Sequence, residues 1–442
     1  MTSESFYKLI NEIIKYLYKL KIQTNEYICI IRYLNKGILF SWLSWLSKQI
    51  FYPQFYWYHR NGIEESSVLG IVNSFKSIID AEFFLLQHSE CSNLRIWVLN
   101  GWNDMNEYES GFFKHSSKIF FIPRLEIFRI HSSITFSLNI NGKKDISEAI
   151  VFLQNLKFSF DFSEKLFVNI VTEEYFPNYN EWCYLLTKAI REINSGNIRK
   201  VVIARETKLI LSNAISVSNF LLASQKVNYY CYHFMIAFSK NSGFISSTPE
   251  RLYLRKNLQL FSEALAGTVV NDIDEVIAYE RLKWLIKDKK NQYENLIVVN
   301  DICQQLKKIS SNIFISKTKV VRLRDVQHLC RFINATLIKP SDSKCLSCLY
   351  PTAAICGSPR VPARNFLLKN EPFHRNWYGG IIGFISLSTS EFAIAIRCAQ
   401  VNGSKVSLYS GAGIVNYSDP YQEWVEIENK IVCLKSLFDI TM

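Results

Sequence analysis

The sequence predicts an α+β protein, an antiparallel-rich layered domain and not a doubly wound parallel one. Three observations carry that expectation. Aromatic and β-branched runs stand almost back to back near the end of the chain, at 377–387, 392–398 and 406–410, too close for crossover helices. Such runs of strands are mixed, elsewhere in the chain, with segments whose apolar residues fall at helical spacing. No Pro-, Gly- or Ser-rich linker and no internal repeat divides the 442 residues, enough for one large domain.

In chain order, the first twenty residues, MTSESFYKLINEIIKYLYKL, carry charges throughout an apolar pattern. They predict an amphipathic helix, not a secretory signal. The longest strongly apolar uncharged run, 37–47, has eleven residues, against about 20 for a membrane span. Residues 1–165 read as short strands and helices, with strands at 51–57 (FYPQFYW) and 118–123 (KIFFIP). They are taken as a structurally distinct, divergent part of a domain whose main region is 166–442. A helix is expected over 180–195, stopped at Gly196, then a strand at 200–205 and a helix starting at Ser216. A hairpin follows at 233–238 and 243–246, then a long helical region over 273–308, then the three closing strands.

Composition narrows the partners. The 51 basic and 39 acidic residues leave a formal charge of +12. Such a balance suits nucleic acid, an anionic membrane or an anionic small molecule. The lysines are scattered and not striped, and no nucleic-acid motif is present. The balance reads as compositional drift toward Lys, Ile, Asn, Tyr and Phe, with neither nucleic acid nor membrane expected as a partner, though an anionic small molecule would still gain from steering. The 11 cysteines, an odd number spread along the chain, suit free thiols in a reducing, cytoplasmic setting. Cys345 and Cys348 form a lone C-x-x-C without a second pair at zinc spacing.

The last helix is the most informative segment. Asp419-Pro420-Tyr421-Gln422 combines a cap, a first-turn proline and a Gln placed to close a capping box. Trp424, Ile427, Ile431 and Leu434 then define a buried stripe. Glu423, Glu426 and Lys430 repeat that spacing one residue earlier, at the stripe's edge, as a solvated face or as groups pointing into a cleft. Gly411-Ala412-Gly413 precedes this helix at the end of a strand, where bare backbone N–H groups can approach an anion. Glu294 lies in the helical region 273–308, and two Glu from distant helices could share a hard cation such as Mg²⁺. Lys200 opens an apolar strand, where loss of water favours a neutral amine able to act as a base. Glu250 follows Pro249 at a turn beside Arg251, a place that suits either a salt bridge or catalysis.

Together these segments resemble the chorismate-utilising enzymes, most closely the menaquinone-specific isochorismate synthases. The matching stretches are KVVIARET (200–207), SSTPERLYLR (246–255), SEALAGTV (262–269), DKKNQYENLIVVNDICQQL (288–306), VQHL (326–329), YPTAAICGSPR (350–360), EPFHRNWYGGIIGF (371–384), EFAIAIRCA (391–399) and LYSGAGIVNYSDPYQEWVEIENK (408–430). They cover roughly 170–440, whereas the N-terminal third matches only in patches such as YPQFYW and FFIPRLEI. The resemblance implies a layered α/β sandwich of large, mostly antiparallel sheets flanked by helices, with a central cleft and 166–442 as the chorismate-binding catalytic region. It implies Lys200 as the base that activates water for attack at C2 of chorismate. Glu250 would be the acid that protonates the departing C4 hydroxyl. Glu294 and Glu426 would hold Mg²⁺, with Glu423 a direct or water-mediated partner. Arg397, Lys430, Tyr409 and the backbone at Gly411 and Gly413 would bind the substrate's carboxylates.

Subfamily rests on fewer positions. In Leu265-Ala266-Gly267-Thr268, aminodeoxychorismate synthases typically carry a Lys nucleophile where this chain has Ala266. Anthranilate synthases use ammonia and generally lack the lysine matching Lys200, and no glutaminase subunit is expected here. Salicylate synthases share Lys200 and Glu250 but go on to release pyruvate, and a non-catalytic chorismate-binding relic is the remaining alternative. Ala354 and Tyr378, in the implied pocket, fit the menaquinone type better. Asn295 stands where many members have His, and the menaquinone type commonly has Asn. A monomer or homodimer is expected.

Overall fold

In the computed structural model, which describes residues 3–34, 41–91, 93–102, 118–159 and 166–438, the strands join into one continuous sheet whose pairings are all antiparallel among the described residues. The long strand Lys118–Ile130 is its junction. Glu64–Phe75 runs along one edge, while Ser133–Asn141 and Ile96–Asn100 share the other. One arm continues from Glu64–Phe75 through Gln54–Tyr58, Tyr232–Ser239, Ser242–Thr248, Cys398–Asn402 and Lys405–Ile414 to Lys200–Leu211. The other runs from Ile96–Asn100 through Ile381–Ile385, Thr389–Ile394, Arg251–Lys256 and Gln259–Val270 to Val326–Leu337.

Side-chain alternation stacks the two arms. Along Ile96–Asn100, Trp97 and Leu99 enter one buried cluster and Ile96 and Val98 another. Along Tyr232–Ser239, Phe234 and Ile236 share the Trp97 cluster, while Met235 and Ala237 enter a third. Successive strand side chains point to opposite faces. The cluster holding Trp97, Phe234 and Tyr409 is therefore an inner aromatic layer shared by both arms. The outer faces are covered by helices: Ser3–Lys19, Asp145–Gln154 and Val217–Val227 on the cluster that holds Met235, Tyr179–Asn194 on Lys200–Leu211 and Lys405–Ile414 at the end of the first arm, and Lys289–Leu306 on the second arm. The C-terminal helix Pro420–Lys435 lies on Lys405–Ile414 of the first arm, with Ile427 in one outer cluster and Ile431 and Leu434 in another.

Local signals explain most boundaries. Asn178 and Glu181 close a capping box at the start of Tyr179–Asn194. Gly196, at φ +82, ends that helix in the left-handed region that favours glycine. Ser216 caps Val217–Val227, and the 232–248 hairpin pairs Ile236 with Phe244. The Asp419 carboxylate accepts from the N–H groups of Tyr421 and Gln422, the half of the expected capping box that forms. Two expectations change. The region 273–308 is two helices, Glu275–Lys287 and Lys289–Leu306, because Asp288 is extended and its carboxylate caps the second by accepting from Asn291 N–H. The closing strands number four, because 377–380 turns before Ile381–Ile385, and Cys398 opens a separate strand after the left-handed Arg397. The apolar run 37–47 lies partly outside the described residues, and its end forms the short helix Trp42–Ser47. No helix among the described residues is long and apolar enough to cross a membrane.

Candidate active site

Where the free ends of the two arms face each other lies a cleft of about 640 Å³, including the part open to solvent. The first arm contributes Lys200, Tyr409, Gly411 and Gly413, the second Leu265, Ala266, Gly267 and Thr268. Glu250, Glu294, Ala354, Tyr378, Arg397 and Lys430 complete the residues anticipated from sequence that line it. Glu423 and Glu426 do not. They line an adjoining groove with Lys290 and Asn291, and Thr268 belongs to both spaces.

The Gly-x-Gly works in two ways. Ala204 N–H donates to Glu371 and Val202 N–H to the Cys356 carbonyl, so neither points to the strand opposite. Their partners Gly411 and Gly413 are therefore at non-hydrogen-bonded rungs, with N–H and C=O turned outward, beyond the last rung to Cys398–Asn402. The missing side chains also make room. A Cβ on Gly413 would lie 2.3 Å from Glu294 Oε1 and 2.7 Å from Lys200 Cε, and one on Gly411 2.5 Å from the Tyr378 hydroxyl. The spacing had suggested only an anion cradle.

The opposite wall is a β-bulge. The ladder between Gln259–Val270 and Val326–Leu337 breaks register between Leu265 and Thr268. Gly267 takes φ +84 there, packed on Asn291, whose side-chain oxygen accepts from Thr268 N–H at 2.9 Å. Asn295, fully buried, donates to the carbonyls of Ala264, Ala266 and Leu329, and so ties the helix to both strands.

Charges are paired within the cleft and beside it. Lys200, 1% exposed, sits 2.9 Å from Glu294. Lys430 Nζ donates to Glu426 at 2.7 Å and to the Gly411 carbonyl at 2.9 Å. Lys290 donates to buried Glu423 at 2.7 Å, with Glu426 and Glu294 also near enough to favour its charge. Burial pushes the Glu423 carboxyl up, and Glu426 pushes it further. At Glu426 burial acts in the same sense, but Lys430, Lys290 and Lys200 outweigh it and hold the carboxyl below its ordinary value. Burial, then the nearby Glu263, raises the Glu250 carboxyl to about 8 against the opposing pull of Lys200 and Lys430. Glu250 is thus a carboxylic acid at neutral pH.

Some residues in and around the cleft were not anticipated. His328 sits in the VQHL stretch, which had been given no role. Its Nε2 lies 2.8 Å from Arg397 Nη2, and a guanidinium can only donate, so Nε2 is the acceptor. Burial, then Arg397 and Lys430, hold His328 well below its usual range, so the ring is neutral with its proton on Nδ1, 3.1 Å from Thr268 Oγ1. Arg397 itself takes φ +48, a left-handed conformation uncommon for a side-chain-bearing residue. Buried Arg375 bonds Glu371 and the carbonyls of Val202 and Ile355, and so braces two cleft-lining segments. Sequence offered no signal for Lys290 as the partner of Glu423, since the pairing crosses between helices.

A buried lysine and a buried carboxyl kept protonated share one cleft with an unpaired strand edge, and further carboxylates line an adjoining groove. The model of the chorismate-binding enzyme family matches residues 19–438, and the chain belongs to that family. Within it, the chain is similar to the isochorismate synthase MenF of Escherichia coli strain K12, 41% identical over 91% of each chain. It is also similar to MenF of Pasteurella multocida, 35% identical over 91% of each. The solved structure of the menaquinone-specific isochorismate synthase of Escherichia coli superposes with a TM-score of 0.91 at 39% identity, covering 98% of this chain and all of that one. Anthranilate synthase component I of Streptococcus pneumoniae, 18% identical, shares the fold at a TM-score of 0.64 over 94% of this chain and 93% of its own.

Proposed function

We propose that the chain is a Mg²⁺-dependent isochorismate synthase of the menaquinone type. It would interconvert chorismate and isochorismate by adding water at C2 and releasing the C4 hydroxyl. The observation that carries this reading is one cleft holding a buried lysine, Lys200, and a carboxyl kept protonated, Glu250. Hydroxyl exchange across an allylic system needs one group to take a proton from water and another to give one to the leaving oxygen.

Lys200 takes the proton of the attacking water, and Glu250 protonates the departing hydroxyl. Arg397, Lys430 and the outward N–H groups of Gly411 and Gly413 bind the substrate carboxylates. Tyr378 and Tyr409, stacked at 5.7 Å, give the ring a flat wall, and small Ala354 and Ala266 leave it space. Among the described residues no three acidic, His or Cys side chains converge into a ready metal cage. Mg²⁺ does not require one, since it takes one or two carboxylates and fills its shell with waters and substrate oxygens. Glu294 and Glu426 are the ligands on this reading, with Glu423 beside them, and their oxygen donors fit such an ion. When bound, Mg²⁺ supplies a grip on the ring carboxylate and takes up the Glu294 charge that otherwise pairs with Lys200. Residues 166–442 form the catalytic region on this reading and 1–165 its divergent support, in a cytoplasmic protein needing neither nucleic acid nor a glutaminase subunit.

The test is incubation of purified protein with chorismate and Mg²⁺, with products separated by chromatography. Isochorismate should form, stop on chelation of the metal, and be absent with Lys200→Ala. Pyruvate release would instead identify a salicylate synthase, and binding without turnover a relic.

A further inference from the structure

We infer that Arg60, in the N-terminal part of the chain, is a positioning residue for Glu250, acting through Glu263 and the Pro249 carbonyl. The inference rests on the proposed role of Glu250 as the acid.

Glu250 stands on the turn between the strands Ser242–Thr248 and Arg251–Lys256. That turn is gripped from below. Arg60 Nη1 donates to the Pro249 carbonyl at 2.8 Å. The same guanidinium holds Glu263 with two bonds, 2.6 and 2.7 Å long. Glu263 in turn accepts from Arg251 N–H at 2.9 Å. The residues on both sides of Glu250 are therefore fixed by one Arg–Glu fork, half-buried at Arg60 and buried at Glu263, a planar geometry that lysine cannot reproduce. Above it, Ile394 N–H donates to the Glu250 carbonyl at 3.0 Å and Glu250 N–H donates to Thr248 Oγ1 at 3.2 Å.

The fork also sets the charge beneath the acid. Glu263 is the neighbouring anion that favours a protonated Glu250, opposed by Lys200 from the first arm and Lys430 from the C-terminal helix. Cys330 and Tyr378, the other titratable groups that sense Glu250, have their own ionisation pushed up by burial and remain neutral. Arg60 supplies the countercharge that Glu263 meets in the core. Arg60 does not line the cleft and touches no group that would meet the substrate.

The experiment compares wild type, Arg60→Gln, Arg60→Lys, Glu263→Gln and the double variant Arg60→Gln/Glu263→Gln, measuring isochorismate formation against pH and chorismate concentration. Arg60→Gln should lower kcat about tenfold or more with KM within about twofold, the signature of a lost transition-state interaction. Arg60→Lys should recover only part of it. Glu263→Gln should move the alkaline limb of kcat to lower pH, since the anion favouring a protonated Glu250 is gone. The double variant should lose about as much kcat as Arg60→Gln alone, because the two side chains act as a unit. An Arg60→Gln protein with wild-type kcat and pH profile, or with only KM raised, overturns the inference. If Arg60→Gln does not fold, an unmoved alkaline limb in Glu263→Gln overturns it instead. An inactive wild type would overturn the proposed function and this inference together, whereas an active one with unaffected variants overturns this inference alone.

Discussion

Gly413→Ala tests the site where it is tightest. The added methyl would meet Glu294 Oε1 at 2.3 Å, Lys200 Cε at 2.7 Å and Lys200 Nζ at 3.1 Å. Ordinary contact begins near 3.4 Å, so the carboxylate must retreat by about 1 Å. Gly413 pairs opposite Val202, and the pairing continues to Ile414 opposite Val201, which limits how far the backbone can move instead. The pair that gives way is the proposed base and a proposed metal ligand. Misplacing a reacting group by about 1 Å costs on the order of 100-fold in rate, about 2.7 kcal/mol on the barrier. The fold loses a comparable amount, about 1–3 kcal/mol for one methyl forced into a packed site. The assay is initial-rate isochorismate formation at saturating chorismate and Mg²⁺, beside a thermal melt. A folded Gly413→Ala protein with kcat within twofold of wild type would refute the argument that the missing Cβ holds the Lys200–Glu294 geometry.

Four further outcomes are expected. Glu250→Gln should lower kcat by about 10²- to 10⁴-fold, the usual worth of a general acid. In the wild type the rate should fall as pH rises through about 8, since burial and Glu263 raise the carboxyl to that value and only the protonated form donates. A rate still climbing at pH 9 would count against Glu250 as the acid. The same raised carboxyl should weaken folding as pH rises from 4.5 toward 8, because the unfolded chain ionises first. Asp342→Ala should cost about 3–5 kcal/mol, read as a lower Tm, by stranding buried Arg255, which it now holds at 2.7 and 2.9 Å. The melt of a fully folded sample would show no change if that pair were dispensable.

What could be read from sequence was local. The Asp419-Pro420 start, the Ser216 cap and the Gly196 stop each depend on a few adjacent residues, and each is where those residues dictate. The resemblance carried Lys200, Glu250, Glu294 and Arg397 because their motifs are continuous stretches, and the fold brings these to one cleft. The placement of Glu423 and Glu426 was less legible. A one-residue displacement from the apolar stripe puts them at a boundary, and only the packing of Lys290 decides which space they face. Asp288 was missed as a break because a helical pattern continues on both sides of it. Arg60 and His328 left no local trace, since their partners lie far away in the chain.

The junction of the two arms has a consequence for how the chain is made. Strand Ile96–Asn100 pairs with Ile381–Ile385, and Gln54–Tyr58 with Tyr232–Ser239. During synthesis at about 5–20 residues per second, the edge at 96–100 waits on the order of 15 to 60 seconds before its partner is translated. Trp97 and Leu99, destined for the inner layer, spend that interval uncovered beside an unpaired backbone. Such an edge is a template for other chains. Nascent chains of this protein should therefore depend on holdase chaperones before the cleft exists, and heat or crowding of ribosomes should lower the yield of active enzyme well below the temperature at which the finished sandwich melts.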